Sequence, residues 1–290
     1  MTRLKNIFVS TTFAEDKSKV SDVLSLCNRE NIYNIELGSN HTYEKNFKKI
    51  IKQYDFRIIV HNYFPVPKKS FVVNIASLNK RIRNLSLQHV RRAINFCREI
   101  NSKLYTVHPG FVVDPVTIGR DKKNYDFIWK NKSSNKNYKP AFKNMLSSLK
   151  KIVNFAKGKK VRVAIETEGS FKKKNLLLMQ KPSEYDELFK YFSPNDLGIN
   201  LNIGHLNLAA NAFNFSKLAF VKKLKPYISA LELSHNDGLE DQHLPLKKNE
   251  WYWKMINDPD FSKIYKILEF RNTNIKKIKK VFKFFKNGRQ

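Results

Sequence analysis

Residues 231–246 (LELSHNDGLEDQHLPL) gather the side chains best suited to holding a cation. Residues 228–234 are a short apolar run that reads as a buried strand. At its end come His235, Asn236, Asp237 and Gly238, then the pair Asp241-x-His243. Imidazoles and carboxylates are the usual ligands of zinc, manganese and related ions. Asp241 and His243 stand two apart, so in an extended loop they can point the same way. A polar turn after a strand would also account for this segment alone. What argues against that is recurrence upstream.

His61 ends an apolar run at 56–60, and His108-Pro-Gly follows one at 104–107. Glu166 follows 161–165, Asn202 and His205 stand at the end of 197–203, and Glu269 lies in 264–270. Five of the seven histidines occupy such strand ends. His41 and His89 fall in a loop and mid-helix, and read as ordinary surface or partly packed residues. Burying that many titratable groups without a metal is costly, so the pattern points to a divalent metal site, zinc or manganese, with room for more than one ion.

Positioning these residues takes eight strands, at 6–10, 32–37, 56–60, 104–107, 161–165, 197–203, 228–234 and 264–270. Helical patterns cover 15–29, 43–53, 78–100, 141–157, a segment opened by Pro182, 213–224 and the basic stretch from 274. Strands alternating with helices argue for a parallel sheet, and eight of them for a closed (β/α)8 TIM barrel, an α/β fold in which residues 1–290 make one domain. The rim at the strands' carboxyl ends then carries the site. The stretch 111–140, with Trp129 and Tyr138, is a polar insertion that could act as a lid; its part at 130–139 is low in complexity and reads as mobile. No Gly-x-Gly-x-x-Gly follows the first strand and there is no P-loop motif, so nucleotide folds of those kinds have no support.

Composition sets bounds. Hydrophobic residues make up 41%, enough for a sizeable core. No run of about 18 apolar residues predicts a membrane span, and the amino terminus has no signal-peptide pattern. Cys27 and Cys97 lie in helical patterns, which supports neither a disulfide framework nor a cysteine metal site and fits a cytoplasmic setting. The net charge of +30 suits phosphate-rich partners. Yet Lys outnumbers Arg by 43 to 12, and 31 asparagines accompany it; coding bias explains that excess as well as ligand selection does.

The series His61, His108-Pro-Gly, Glu166, Asn202-x-Gly-His205, His235-Asn-Asp-Gly, Asp241-x-His243-Leu-Pro and Glu269 resembles the xylose isomerase-like TIM-barrel superfamily. That group joins sugar and sugar-phosphate isomerases and epimerases of carbohydrate metabolism to AP endonuclease family 2, the relatives of endonuclease IV. The resemblance implies that Glu166, Asn202, His235 and Glu269 match the single-metal site of the isomerases. It implies that His61, His108, His205, Asp241 and His243 match the further ligands of the endonucleases' three-zinc cluster. Asn202 departs from the family pattern, which has aspartate there; a neutral amide oxygen is a weaker ligand.

Two chemistries follow. In isomerisation or epimerisation a metal stabilises an enediolate while Glu166 and Glu269 move the proton. In phosphodiester hydrolysis two or three ions clamp the phosphate. The loop after residue 36 lacks a DNA-penetrating segment and the 235–245 loop is closer to the sugar enzymes, so the sequence favours a sugar or sugar-phosphate substrate. Abasic DNA is the alternative, and a barrel that binds without catalysis is a third reading. Glu36, Trp251 and Trp253 are candidate substrate contacts, although the tryptophans could equally pack on the barrel. Glu168 is too close to Glu166 in sequence to be assigned a role, and oligomeric state is not readable.

Overall fold

A computed structural model describes residues 6–121, 125–129, 135–170 and 176–287. Eight parallel strands close into a barrel: β1 (Ile7–Ser10), β2 (Asn34–Leu37), β3 (Arg57–His61), β4 (Leu104–Val107), β7 (Arg162–Glu166), β8 (Gly198–Asn202), β9 (Ile228–Leu233) and β10 (Tyr265–Leu268), which returns to β1. Strands β5 (Thr117–Asp121) and β6 (Tyr125–Ile128) pair separately as an antiparallel hairpin.

The two-residue period of a strand decides what each side chain meets. Val9, Ile35, Val60, Tyr105, Val163, Ile199, Leu231 and Leu268 point outward into the core shared with the helices. Phe8, Ile59, Leu104, Ala164, Ala230 and Ile267 point inward and form an apolar floor. Two residues further along the same strands stand Ser10, His61, Thr106, Glu166, Glu232 and Glu269, with Glu36 beside them on β2. One layer above its floor the barrel interior is therefore polar.

The helices α1 (Val20–Arg29), α2 (Phe47–Ile51), α3 (Lys80–Glu99), α4 (Asn135–Lys157), α5 (Pro182–Phe189), α6 (Ile203–Phe213), α7 (Lys217–Leu224), α8 (Tyr252–Ile256) and α9 (Ile275–Asn287) accompany the strands. Side chains cap several of their starts. Asn79 Oδ1 accepts from the Arg81 amide at 2.9 Å, and Ser216 Oγ accepts from Ala219 at 3.3 Å. No described helix is long and apolar enough to cross a membrane.

Some elements differ from the sequence expectation. The first two helices are shorter than 15–29 and 43–53. Helix α6 starts directly at residue 203, where an extension of strand β8 was expected. It is buried on most sides, so it lacks the polar stripe that marks an amphipathic helix. Residues 252–256, expected as loop, form α8. The insertion holds the β5–β6 hairpin, and α4 begins at Asn135, inside the stretch expected to be mobile; residues 130–134 of that stretch lie outside the described residues. His41 and His89 are both buried: His41 bonds Thr11 Oγ1 at 2.7 Å, and His89 donates to the Asn62 carbonyl at 3.2 Å. Cys27 and Cys97 are free and buried, and burial pushes each thiol up to about 12.

Candidate metal centre

Two triads of ligand-type side chains meet at the rim. In the first, His61 from the end of β3 and His108 just past β4 turn their Nε2 atoms toward each other at 3.1 Å. Glu166 Oε2 lies 3.5 Å from the former and 3.3 Å from the latter. In the second, Asp241 Oδ2 stands 3.4 Å from His205 Nε2 and 3.0 Å from His243 Nε2. Within each triad the donor atoms lie within 4.8 Å of one another. Glu166 links the two, since its other oxygen is 3.3 Å from His205 Nδ1.

Local hydrogen bonds fix which nitrogen each imidazole offers. His108 Nδ1 meets Glu168 Oε1 at 2.5 Å, and His205 Nδ1 donates to the Thr167 carbonyl at 2.9 Å. With their Nδ1 atoms so engaged, both rings direct Nε2 lone pairs into the triads. His243 Nδ1 lies 3.0 Å from Glu269 Oε2. The loop carrying Asp241 and His243 is pinned by paired backbone hydrogen bonds between His235 and Leu244, at 2.8 and 2.9 Å. Asp237 braces it by accepting from the Leu239 and Glu240 amides. Gly169 passes so close to α6 that a Cβ there would lie 2.0 Å from the His205 carbonyl oxygen.

Asn202 caps α6: its Oδ1 accepts from the His205 amide at 3.1 Å, and its Nδ2 donates to Glu166 at 3.0 Å. The capped backbone N–H can only donate, so the amide nitrogen is the atom facing the carboxylates. His235 stands apart from both triads, with Tyr252 Oη 3.4 Å from its Nδ1. Trp253 packs on Phe284 and Phe285, and Trp251 lies under the Lys217 ammonium at 4.7 Å. Glu36 lies inside the barrel, fully buried.

Sequence reasoning left two residues without a role here. Glu232 is fully buried in mid-strand β9, and Glu168 sits behind His108. The signal for Glu232 was a charged residue inside an apolar run, in phase with the other interior positions.

The electrostatics match the geometry. Burial opposes charge on Glu166, but the imidazoles of His108, His205 and His61 outweigh it and hold the carboxyl below the usual carboxylate range. Burial likewise opposes charge on the histidines. Glu232 and Glu36 nevertheless raise His61, Glu166 and Glu168 raise His108, and Asp241 and Glu166 raise His205. For His243, burial and Arg271 oppose the proton, yet Asp241 and Glu269 bring it up to about 10. His235 goes the other way, lowered by burial and by Lys247.

The donor sets fit divalent cations. Each triad is two imidazoles and a carboxylate, the three-ligand pattern that leaves a position open for water or substrate. Glu166 Oε2 is buried without a hydrogen-bond partner among the described residues, as a ligand atom facing an ion would be. Side-chain exposures of 22% for His108 and 17% for Asp241 show where solvent reaches the centre.

The sequence profile of the family described as xylose isomerase-like TIM barrel matches residues 25–288. An uncharacterized protein of Methanocaldococcus jannaschii is 27% identical over 215 residues, which is 72% of this chain and 62% of that protein. Apurinic-apyrimidinic endonuclease 1 of Plasmodium falciparum is 32% identical over 80 residues, 28% of this chain and 13% of its own length. The chain thus spans less than two thirds of the length of both. Among solved structures, a D-tagatose 3-epimerase-like protein superposes with a TM-score of 0.72 at 22% identity, covering 97% of this chain and 96% of that one.

Proposed function

Starting from a chain that belongs to the xylose isomerase-like TIM-barrel family, we propose that it is a multi-ion, metal-dependent phosphodiester hydrolase acting on abasic sites in DNA. The observation that carries this reading is the second triad. Enediolate chemistry needs one ion; His205, Asp241 and His243 would be surplus to it, whereas two or more ions suit the clamping of a phosphodiester. The local likeness to the Plasmodium endonuclease and the charge of +30 point the same way.

Divalent ions, when bound, supply Lewis-acid polarisation of a phosphoryl oxygen and activation of water near neutral pH. The protein's part is to hold and orient. His61, His108 and Glu166 hold one position, and His205, Asp241 and His243 the other. Glu166 belongs to the first and abuts the far edge of the His205 ring at 3.3 Å, which ties the two together. Glu168 and the Thr167 carbonyl keep the His108 and His205 rings in register. Glu269 supports His243, and Asn202, by capping α6, fixes the backbone that carries His205. The exposed edge at His108 and Asp241 is where a phosphate would enter.

The sequence alone favours isomerisation or epimerisation of a sugar or sugar phosphate, and one electrostatic feature supports that second reading. The Glu166 charge opposes ionisation of Glu269, as it would in a proton-transferring pair around one ion.

Incubating the zinc-loaded protein with a duplex carrying an abasic-site analogue tests the proposal. Strand cleavage is expected, lost by about a thousandfold or more in His61→Ala and His205→Ala, since each removes several kcal/mol of charge stabilisation. Solvent-proton exchange into sugar phosphates with no cleavage would replace this reading with the second.

A further inference from the structure

Inside the barrel stand two carboxylates that neither triad uses. Glu36 on β2 and Glu232 on β9 face His61 Nδ1, the ring edge opposite the one turned to His108. Nδ1 lies 3.4 Å from Glu232 Oε1 and 3.7 Å from Glu36 Oε2. We propose that these three side chains form a further divalent-cation site in the throat of the barrel, on the other edge of the His61 ring from the rim triad.

The atoms themselves make the case. Both carboxylate oxygens of Glu36, Oε1 of Glu232 and Nδ1 of His61 are buried and have no hydrogen-bond partner among the described residues. Glu36 and Glu232 are 0% exposed and His61 is 5% exposed. Buried polar atoms left unpaired cost roughly 1–3 kcal/mol each, so a stable interior needs something to satisfy them. A direct imidazole–carboxylate hydrogen bond would bring the atoms to about 2.7–2.9 Å; they stand further apart. Ligands at about 2.1 Å in tetrahedral array lie roughly 3.4 Å from one another; His61 Nδ1 stands 3.4 Å from Glu232 and 3.7 Å from Glu36, and all three donor atoms fall within 4.8 Å.

The surroundings select the ion. Asn200 Nδ2 donates to Glu232 Oε2 at 2.8 Å and leaves Oε1 free to aim inward. Phe8, Ile59 and Ala230 close the floor. Two carboxylates match the charge of one dication. A nitrogen donor with few oxygens suits zinc or manganese, whereas calcium and magnesium take more oxygen ligands or keep several waters. With ions on both of its edges, the His61 ring bridges them as an imidazolate, its remaining ring proton passing to solvent.

The test reads the ion rather than activity, so it stands apart from the phosphodiester reading. Anomalous difference maps of zinc-loaded crystals, recorded above and below the zinc edge, should show a peak about 2 Å from His61 Nδ1 and between Glu36 and Glu232. Elemental analysis of Glu36→Gln/Glu232→Gln, which keeps side-chain size, should give one zinc per chain fewer than the parent. A throat without anomalous density would overturn the proposal, as would an unchanged zinc content in the folded variant; if the variant does not fold, the map of the parent decides.

Discussion

His61 Nε2 and His108 Nε2 face each other at 3.1 Å, with the Glu166 carboxylate in reach of both. Two imidazole lone pairs so opposed repel unless a proton or a cation lies between them. Between these two atoms there is room for one shared proton; nearby carboxylates work against burial to raise His61, His108 and His205, and bring His243 up to about 10. These rings stay protonated above their ordinary value, and an ion needs the bare lone pair. Zinc binding should therefore release protons, and affinity at the position that includes His243 should rise with pH from 7 toward about 10, tenfold per unit for each proton displaced. Calorimetric titrations in buffers of different ionisation heat measure this; binding heats independent of the buffer would contradict it.

Glu168 meets His108 Nδ1 at 2.5 Å and is buried. A carboxylate behind a ligating histidine fixes the tautomer and strengthens the donor, and losing such a partner weakens metal binding by about 10–100-fold. Glu168→Gln should do the same at the His61–His108–Glu166 position and weaken the Asp241 position less, since there its other oxygen only approaches His205 Nδ1, at 3.9 Å. Competition with a chromophoric chelator resolves the two. Equal weakening at both positions would mean that Glu168 serves general stability.

His41 and His89 are 6% and 3% exposed, and burial lowers each to about 4. Above pH 6.5 neither the folded nor the unfolded chain protonates them. Between about 6.5 and 4 the unfolded chain takes protons that the folded chain cannot, so stability falls as the solution is acidified, by on the order of 3 kcal/mol per residue. In denaturant titrations of metal-free protein at pH 7.5 and 5, the parent should lose more stability than His41→Gln/His89→Gln. Parallel losses would show that other groups govern acid unfolding.

The barrel was readable because its strands announce themselves as short apolar runs, five of which end at or beside His61, His108, Glu166, Asn202 and His235. The pairing of Asp241 with His243 was readable from their spacing. What depends on closure was not. Glu232 touches nothing near it in sequence; only the barrel brings β9 opposite β2 and β3, and only there does its mid-strand charge meet His61. Glu168 looked redundant beside Glu166 because a sequence does not show that the strand's two-residue period continues past its end. Asn202 could be flagged as the departure from the family's aspartate, but its capping of α6 depends on a helix that the apolar sequence concealed. His89 was read as partly packed, because the loop that brings Tyr63 and Phe71 against it is distant in sequence.

The most direct test is the zinc content of chelator-free protein beside Asp241→Ala/His243→Ala. If each rim triad holds an ion, the parent carries at least two zinc ions per chain, and the variant loses one while keeping the ion at His61, His108 and Glu166. A single ion per chain, unaffected by the double substitution, would contradict a multi-ion centre and with it the phosphodiester chemistry proposed for this site.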